Sequence, residues 1–122
     1  MLPAPPLRVL LAEDERVLAE LLSELLNDEG DEVRLATRSS EALEHARSAH
    51  WDAILVDSFE GPTNRLDEQD ATYLRELSTC GPVIVLSARS WARDADPAAV
   101  VPKPFDTDEL LETIRTVAGG HR

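Results

Sequence analysis

The sequence predicts one α/β domain built as a doubly wound parallel sheet, on three observations. Four short aliphatic runs end in polar groups. Val9-Leu10-Leu11-Ala12 leads into Glu13-Asp14, Ala53-Ile54-Leu55-Val56 into Asp57, Val83-Ile84-Val85-Leu86 into Ser87, and Val100-Val101-Pro102 into Lys103. Such runs, with no polar alternation inside them, are the mark of parallel strands covered on both faces. Segments of helical period separate the runs, and strand–helix alternation with right-handed crossovers sends helices to both sides of a sheet. The length of 122 residues suits a single domain, large enough to bury roughly two-thirds of the surface its unfolded chain exposes.

The elements follow in order. Met1 to Pro6 is proline-rich and cannot enter a central strand, because proline lacks the donor a ladder needs. Residues 1–6 are therefore expected to be a flexible tail, 7–118 the folded domain and 119–122 a fraying end. From Glu15 to Glu29, Val17, Leu18, Leu21, Leu22, Leu25 and Leu26 recur at helical spacing. They form one apolar stripe with Glu20, Ser23, Glu24 and Asn27 turned away. Gly30 suits a left-handed helix end. Val33 and Leu35 alternate with charged residues, as in a strand exposed on one side. Glu41 to Ala49 reads as a helix with Ala42, Leu43 and Ala46 inward. Phe59 to Asp70 is polar and punctuated by Gly and Pro, a loop leading into a helix over 70–79 that Gly81-Pro82 ends. Arg89 to Pro97 supports only a short helix or an irregular connection. Asp106 with Glu109 three residues on is a capping-box pattern for a last helix to Ala118.

Charge narrows the function classes. With 24 acidic against 12 basic residues the net charge is -12, so the domain repels phosphate backbones and anionic lipid. Direct nucleic-acid binding and membrane binding are not expected. The single Cys80 allows neither an intrachain disulfide nor a Cys-based zinc site. No apolar run approaches the ~20 residues of a membrane span, and the first residues lack the basic and apolar regions of a signal peptide. The expected location is the cytoplasm.

Ligands of open α/β sheets bind beyond the carboxyl ends of the strands, where four polar groups are expected to converge. Mg²⁺ takes oxygen ligands, keeps several waters and needs few carboxylates. Asp14 and Asp57 are the expected direct ligands, with Glu13 acting through water and the Phe59 backbone carbonyl completing the set. Asp57 has a second oxygen to act as nucleophile, since carboxylates form acyl phosphates. Lys103 supplies a point charge, and Ser87 a hydroxyl for a phosphoryl oxygen. Taken singly, Ser87 reads as a strand terminator and Lys103 as a solvated surface charge; placement at four independent strand ends is what favours a site. His45, His50 and His121 are assigned no chemistry, and Trp91 is read as core filler in preference to a partner contact.

These motifs together resemble the receiver domain of bacterial two-component response regulators, from Leu7 to Ala118. Val9 to Glu15 is similar to the family's acidic-pair motif, Ile54-Leu55-Val56-Asp57 to its phosphoacceptor strand, Ser87-Ala88 to its hydroxyl-then-small position, and Lys103-Pro104-Phe105 to its lysine-proline motif. The resemblance implies a flavodoxin-like five-stranded sheet of order 2-1-3-4-5 and Mg²⁺-dependent phosphorylation of Asp57 by a histidine kinase, a phosphotransfer protein or a small phosphodonor. Ser87 and Lys103 would then move toward the phosphate and change the surface offered to a downstream protein, a fused output domain or a weak homodimer partner. The chain is read as a signalling module and not an enzyme: Phe59 stands where haloacid-dehalogenase-like phosphohydrolases carry a second aspartate.

Three departures from the family pattern stand out. Only 15 residues separate Ser87 from Lys103, so the fourth helix and fifth strand look shortened. Val100 occupies the place of the usual switch aromatic, and Ser58 to Pro62 lacks the common hydrophobic-Pro arrangement. They motivate one alternative, a degenerate receiver that binds partners without phosphorylation.

Overall fold

The strand β1 (Arg8–Ala12) lies between β2 (Glu32–Ala36) and β3 (Ala53–Val56), with β4 (Val83–Ser87) and β5 (Ala99–Pro102) added beyond β3. All pairs are parallel, in the order β2-β1-β3-β4-β5 expected from the resemblance. The computed structural model describes residues 6–57, 68–87, 97–102 and 105–119. Three described helices connect strands, α1 (Arg16–Asp28), α2 (Ser39–Ser48) and α3 (Glu68–Ser78), and α4 (Thr107–Gly119) follows β5. The tail before Pro6, the loop with Phe59, the connection with Trp91 and Ala88, the pair Lys103-Pro104 and the end after Gly119 lie outside the described residues. Gly119 itself closes α4, one residue past the expected domain edge.

The pleat sorts the strand residues onto two faces. Leu10, Ala12, Ile54, Val56, Val83 and Val85 pack against Ala42 and Ala46 of α2 and Leu74 and Leu77 of α3. Val9, Leu11, Ala53, Leu55, Ile84 and Leu86 pack against Leu22 and Leu26 of α1 and Leu110 and Ile114 of α4. Both faces are apolar, which is why these strands read as unbroken aliphatic runs. On the edge strand β2, Glu32 and Arg34 are exposed, as its alternating sequence requires.

Helix α1 departs from the expected burial. Ala19, Leu22 and Leu26 are buried, but Val17 and Leu21 are 74% and 60% exposed. Six apolar positions span a wider arc than the sheet covers, and the small Ala19 brings the helix down on a different line from the one that a Leu/Val stripe suggests. The helix ends in a Schellman arrangement: Gly30, at φ +89, donates to the Asn27 carbonyl, and Asp31 N–H reaches the Leu26 carbonyl. Helices α2 and α3 both begin two residues before their expected starts, because their first turns are polar and carry no apolar period.

Two aspartates tie the amino end of β1. Leu7 N–H donates to Asp31 Oδ1 at 3.1 Å, and Arg8 N–H to Asp52 Oδ2 at 2.8 Å. Beside them Trp51 is buried, its indole N–H on the His45 carbonyl and the Arg8 guanidinium 5.2 Å from its ring centroid. The Trp51 backbone explains Gly81 better than helix termination does: a Cβ at Gly81 would stand 2.9 Å from the Trp51 carbonyl oxygen. A backbone atom in a packed turn gives way only at a cost. Gly81→Ala is therefore expected to destabilise by about 1–3 kcal/mol, read from the midpoint of urea unfolding; an unchanged midpoint would rule the close approach out as a constraint.

Helix α4 begins with Asp106 Oδ1 accepting from Asp108 N–H at 2.9 Å, as an N-cap should. Its Arg115 pairs with Glu29 at the end of α1.

Candidate functional site at the carboxyl edge of the sheet

The site begins where β1 and β3 end. Ala12 stands beside Ala36 and Val56 in register, and the ladder runs one residue further on each side. Glu13 N–H donates to the Ala36 carbonyl, and Asp57 N–H to the Ala12 carbonyl, both at 3.0 Å. These bonds hold the backbones of both acidic residues in line with the strands they follow. The pleat sends Glu13 to the face of Val9 and Leu11, and Asp57 to the face of Ala53 and Leu55, which is the same face. Glu13 is 3% exposed and Asp57 8%, the two buried ionisable residues of the described chain. Asp14 is exposed.

Two carboxyl groups side by side in a largely apolar setting do not both ionise freely. Burial pushes the Glu13 carboxyl up to about 8, helped by the neighbouring Asp57 and Asp14 and opposed by the Glu15 N–H. That N–H donates to Glu13 Oε1 at 2.9 Å, while Glu13 Oε2 is buried with no donor among the described residues. An added proton on Glu13 turns its contact with Asp57 into a hydrogen bond; a cation would satisfy the same oxygen in another way. The donor set is all oxygen, hard and anionic, and so suits Mg²⁺. Among the described residues no three Asp, Glu, His or Cys side chains close into a preformed ion cage.

Ser87 ends β4 beside Pro102 of β5, so its backbone lies on the same sheet edge as Glu13 and Asp57. Lys103 and Phe59 are outside the described residues. Val100 is half-buried and packs with the α2/α3 face of the core. The burial of Glu13, as opposed to Asp14, was not read from the sequence: both faces of the first run are buried, so its pattern does not separate the two, and the distinction lies in the backbone bond that carries the ladder on to Glu13.

A doubly wound sheet with acidic groups where β1 and β3 emerge defines the class, a fold whose ligands sit at that edge. The chain belongs to the response regulator receiver domain family, whose model matches residues 9–115. The transcriptional regulatory protein DltR of Streptococcus agalactiae is 34% identical over 115 residues, 89% of this chain and 50% of the relative. The transcriptional regulatory protein PdtaR of Mycobacterium tuberculosis is 34% identical over 126 residues, 98% of this chain and 60% of the relative. The chain thus spans about half the length of the curated relatives it matches. Among solved structures, the response regulator TrrA of Thermotoga maritima, in complex with Mg²⁺-BeF, superposes with a TM-score of 0.72 at 28% identity, covering 90% of this chain and 97% of that one.

The chain is a receiver domain of the response regulator type. Such domains work with histidine kinases and output domains. No helix among the described residues is long and apolar enough to cross a membrane.

Proposed function

We propose that Asp57 is the phosphoacceptor of this domain and that the cluster around it binds Mg²⁺. The carrying observation is the buried Glu13–Asp57 pair at adjacent strand ends, a concentration of negative charge that costs stability unless a cation or proton compensates it. Asp14 and Asp57 would hold the ion directly and Glu13 through water, with the Phe59 carbonyl completing the protein's share. When bound, Mg²⁺ supplies neutralisation of the charge on the phosphoryl group.

The chain's own residues do the rest. One carboxylate oxygen of Asp57 attacks phosphorus in line; the bond from phosphorus to the donor's nitrogen or oxygen breaks, and the donor leaves with that electron pair. Lys103 holds negative charge on the transferred group, and Ser87 donates its hydroxyl hydrogen to a phosphoryl oxygen. The resulting contacts shift the population between two packings of the sheet edge. The donor is a histidine kinase or phosphotransfer protein, the reader a downstream protein or a fused output domain, with a weak homodimer as a further partner. All of this takes place in the cytoplasm.

Incubation with Mg²⁺ and acetyl phosphate is expected to add the mass of one phosphoryl group to the wild type and none to Asp57→Asn. Beryllofluoride with Mg²⁺ is expected to perturb wild-type amide spectra alone. Equal behaviour of the two proteins in both treatments rejects the assignment and leaves the phosphorylation-independent binding module in its place.

A further inference from the structure

We infer that Glu41 is a positioning residue for Glu13, acting through a single peptide unit; the inference rests on the proposed metal-binding role of the Glu13–Asp57 cluster. The peptide joining Ala36 to Thr37 is gripped at both ends. Its carbonyl oxygen, on Ala36, accepts the Glu13 N–H at 3.0 Å. Its N–H, on Thr37, donates to Glu41 Oε1 at 2.7 Å.

Two consequences follow from peptide chemistry. A peptide plane rotates as a unit, so fixing its N–H fixes the direction of its C=O. Hydrogen bonds through one peptide also polarise each other, so a carboxylate drawing on the N–H makes the carbonyl a better acceptor for Glu13. Glu41 is the third residue of α2, well placed to reach back to the residue before the helix cap. Glu41 is seen to contact the Thr37 backbone N–H. Its effect is on the backbone from which the Glu13 carboxyl projects, and hence on the geometry of the acidic pair.

The test compares wild type, Glu41→Ala and Glu41→Gln in the intact chain. Gln keeps the accepting oxygen and serves as the rescue. Amide hydrogen exchange is read at Glu13 and Thr37, with Leu55 in central β3 as the gauge of global opening, and Mg²⁺ binding is read by calorimetric titration. Glu41→Ala is expected to speed exchange at both Thr37 and Glu13 beyond any change at Leu55. It should also raise the Mg²⁺ concentration for half-saturation by about fivefold, the effect of losing one ordinary hydrogen bond; Glu41→Gln should restore most of both.

Helix capping alone would speed Thr37 exchange and leave Glu13 and the Mg²⁺ titration at wild-type values, and that result overturns the inference. So does parallel acceleration of Leu55 and Glu13 in Glu41→Ala. The exchange at Glu13 is measured without metal or phosphodonor, so failure of the Asp57 assignment and failure of the Glu41 linkage give different data.

Discussion

With divalent ions chelated, the unfolding free energy of the wild type should decline as pH is raised from about 5 to about 8, by an amount on the order of 3 kcal/mol. The Glu13 carboxyl titrates near 4.5 when free and is held near about 8 in the fold, with burial the largest cause. Between those values the folded chain carries a proton that the unfolded chain has lost. Stability therefore falls through that window and levels off above it, against a background shared by the other titrating groups. Glu13→Gln keeps the shape and cannot ionise, so it should lack this component and be more stable than wild type above pH 8. Saturating Mg²⁺ should flatten the wild-type decline, because the cation favours the ionised folded form. Urea unfolding at several pH values, with and without chelator, measures all three. Wild type and Glu13→Gln curves that run parallel across the window would remove the case for a strained carboxyl here.

Leu55→Ala should destabilise by about 2–5 kcal/mol, whereas Leu21→Ala should stay within about 0.5 kcal/mol of wild type. Both delete the same atoms from a leucine. Leu55 is fully buried in the central strand β3, between α1 and α4, and its face is the one that carries Asp57 two residues later. Truncating it leaves a cavity that two packed helices cannot fill. Leu21 is mostly in water already and has little transfer energy to lose. Urea midpoints at neutral pH separate the two; comparable losses would contradict the burial difference along which α1 lies on the sheet.

How far the fold was legible depended on whether the signal was local. The central strands were plain because burial on both faces leaves uninterrupted aliphatic sequence, and the exposed edge of β2 was plain in its alternation. The strand order was not available from periodicity; it came with the family resemblance. The face of α1 was misjudged at Val17 and Leu21 because period counts apolar residues without knowing how wide a surface covers them. The convergence of Glu13 and Asp57 followed from strand ends, but the choice of Glu13 as the buried member of its pair needed the extent of the backbone ladder, which reaches Glu13 through the Ala36 carbonyl. Trp51 against Gly81 was invisible, since it joins residues 30 apart in the chain and belongs to no motif.

The place of β1 in the sheet also bears on how the molecule assembles. Strands emerge in numerical order, yet the third one made, β3, lands beside the first and not beside the second. Everything up to Asp57 can then gather into a three-stranded half-sheet around β1 that already contains the acidic pair, while Ser87 and Lys103 await a later portion of chain. Parallel closures over such distances are slow, so the nascent half holds its buried acidic pair before the segments carrying Ser87 and Lys103 have joined the sheet. A nascent chain stalled just past β3 would be the species most dependent on a bound proton or metal.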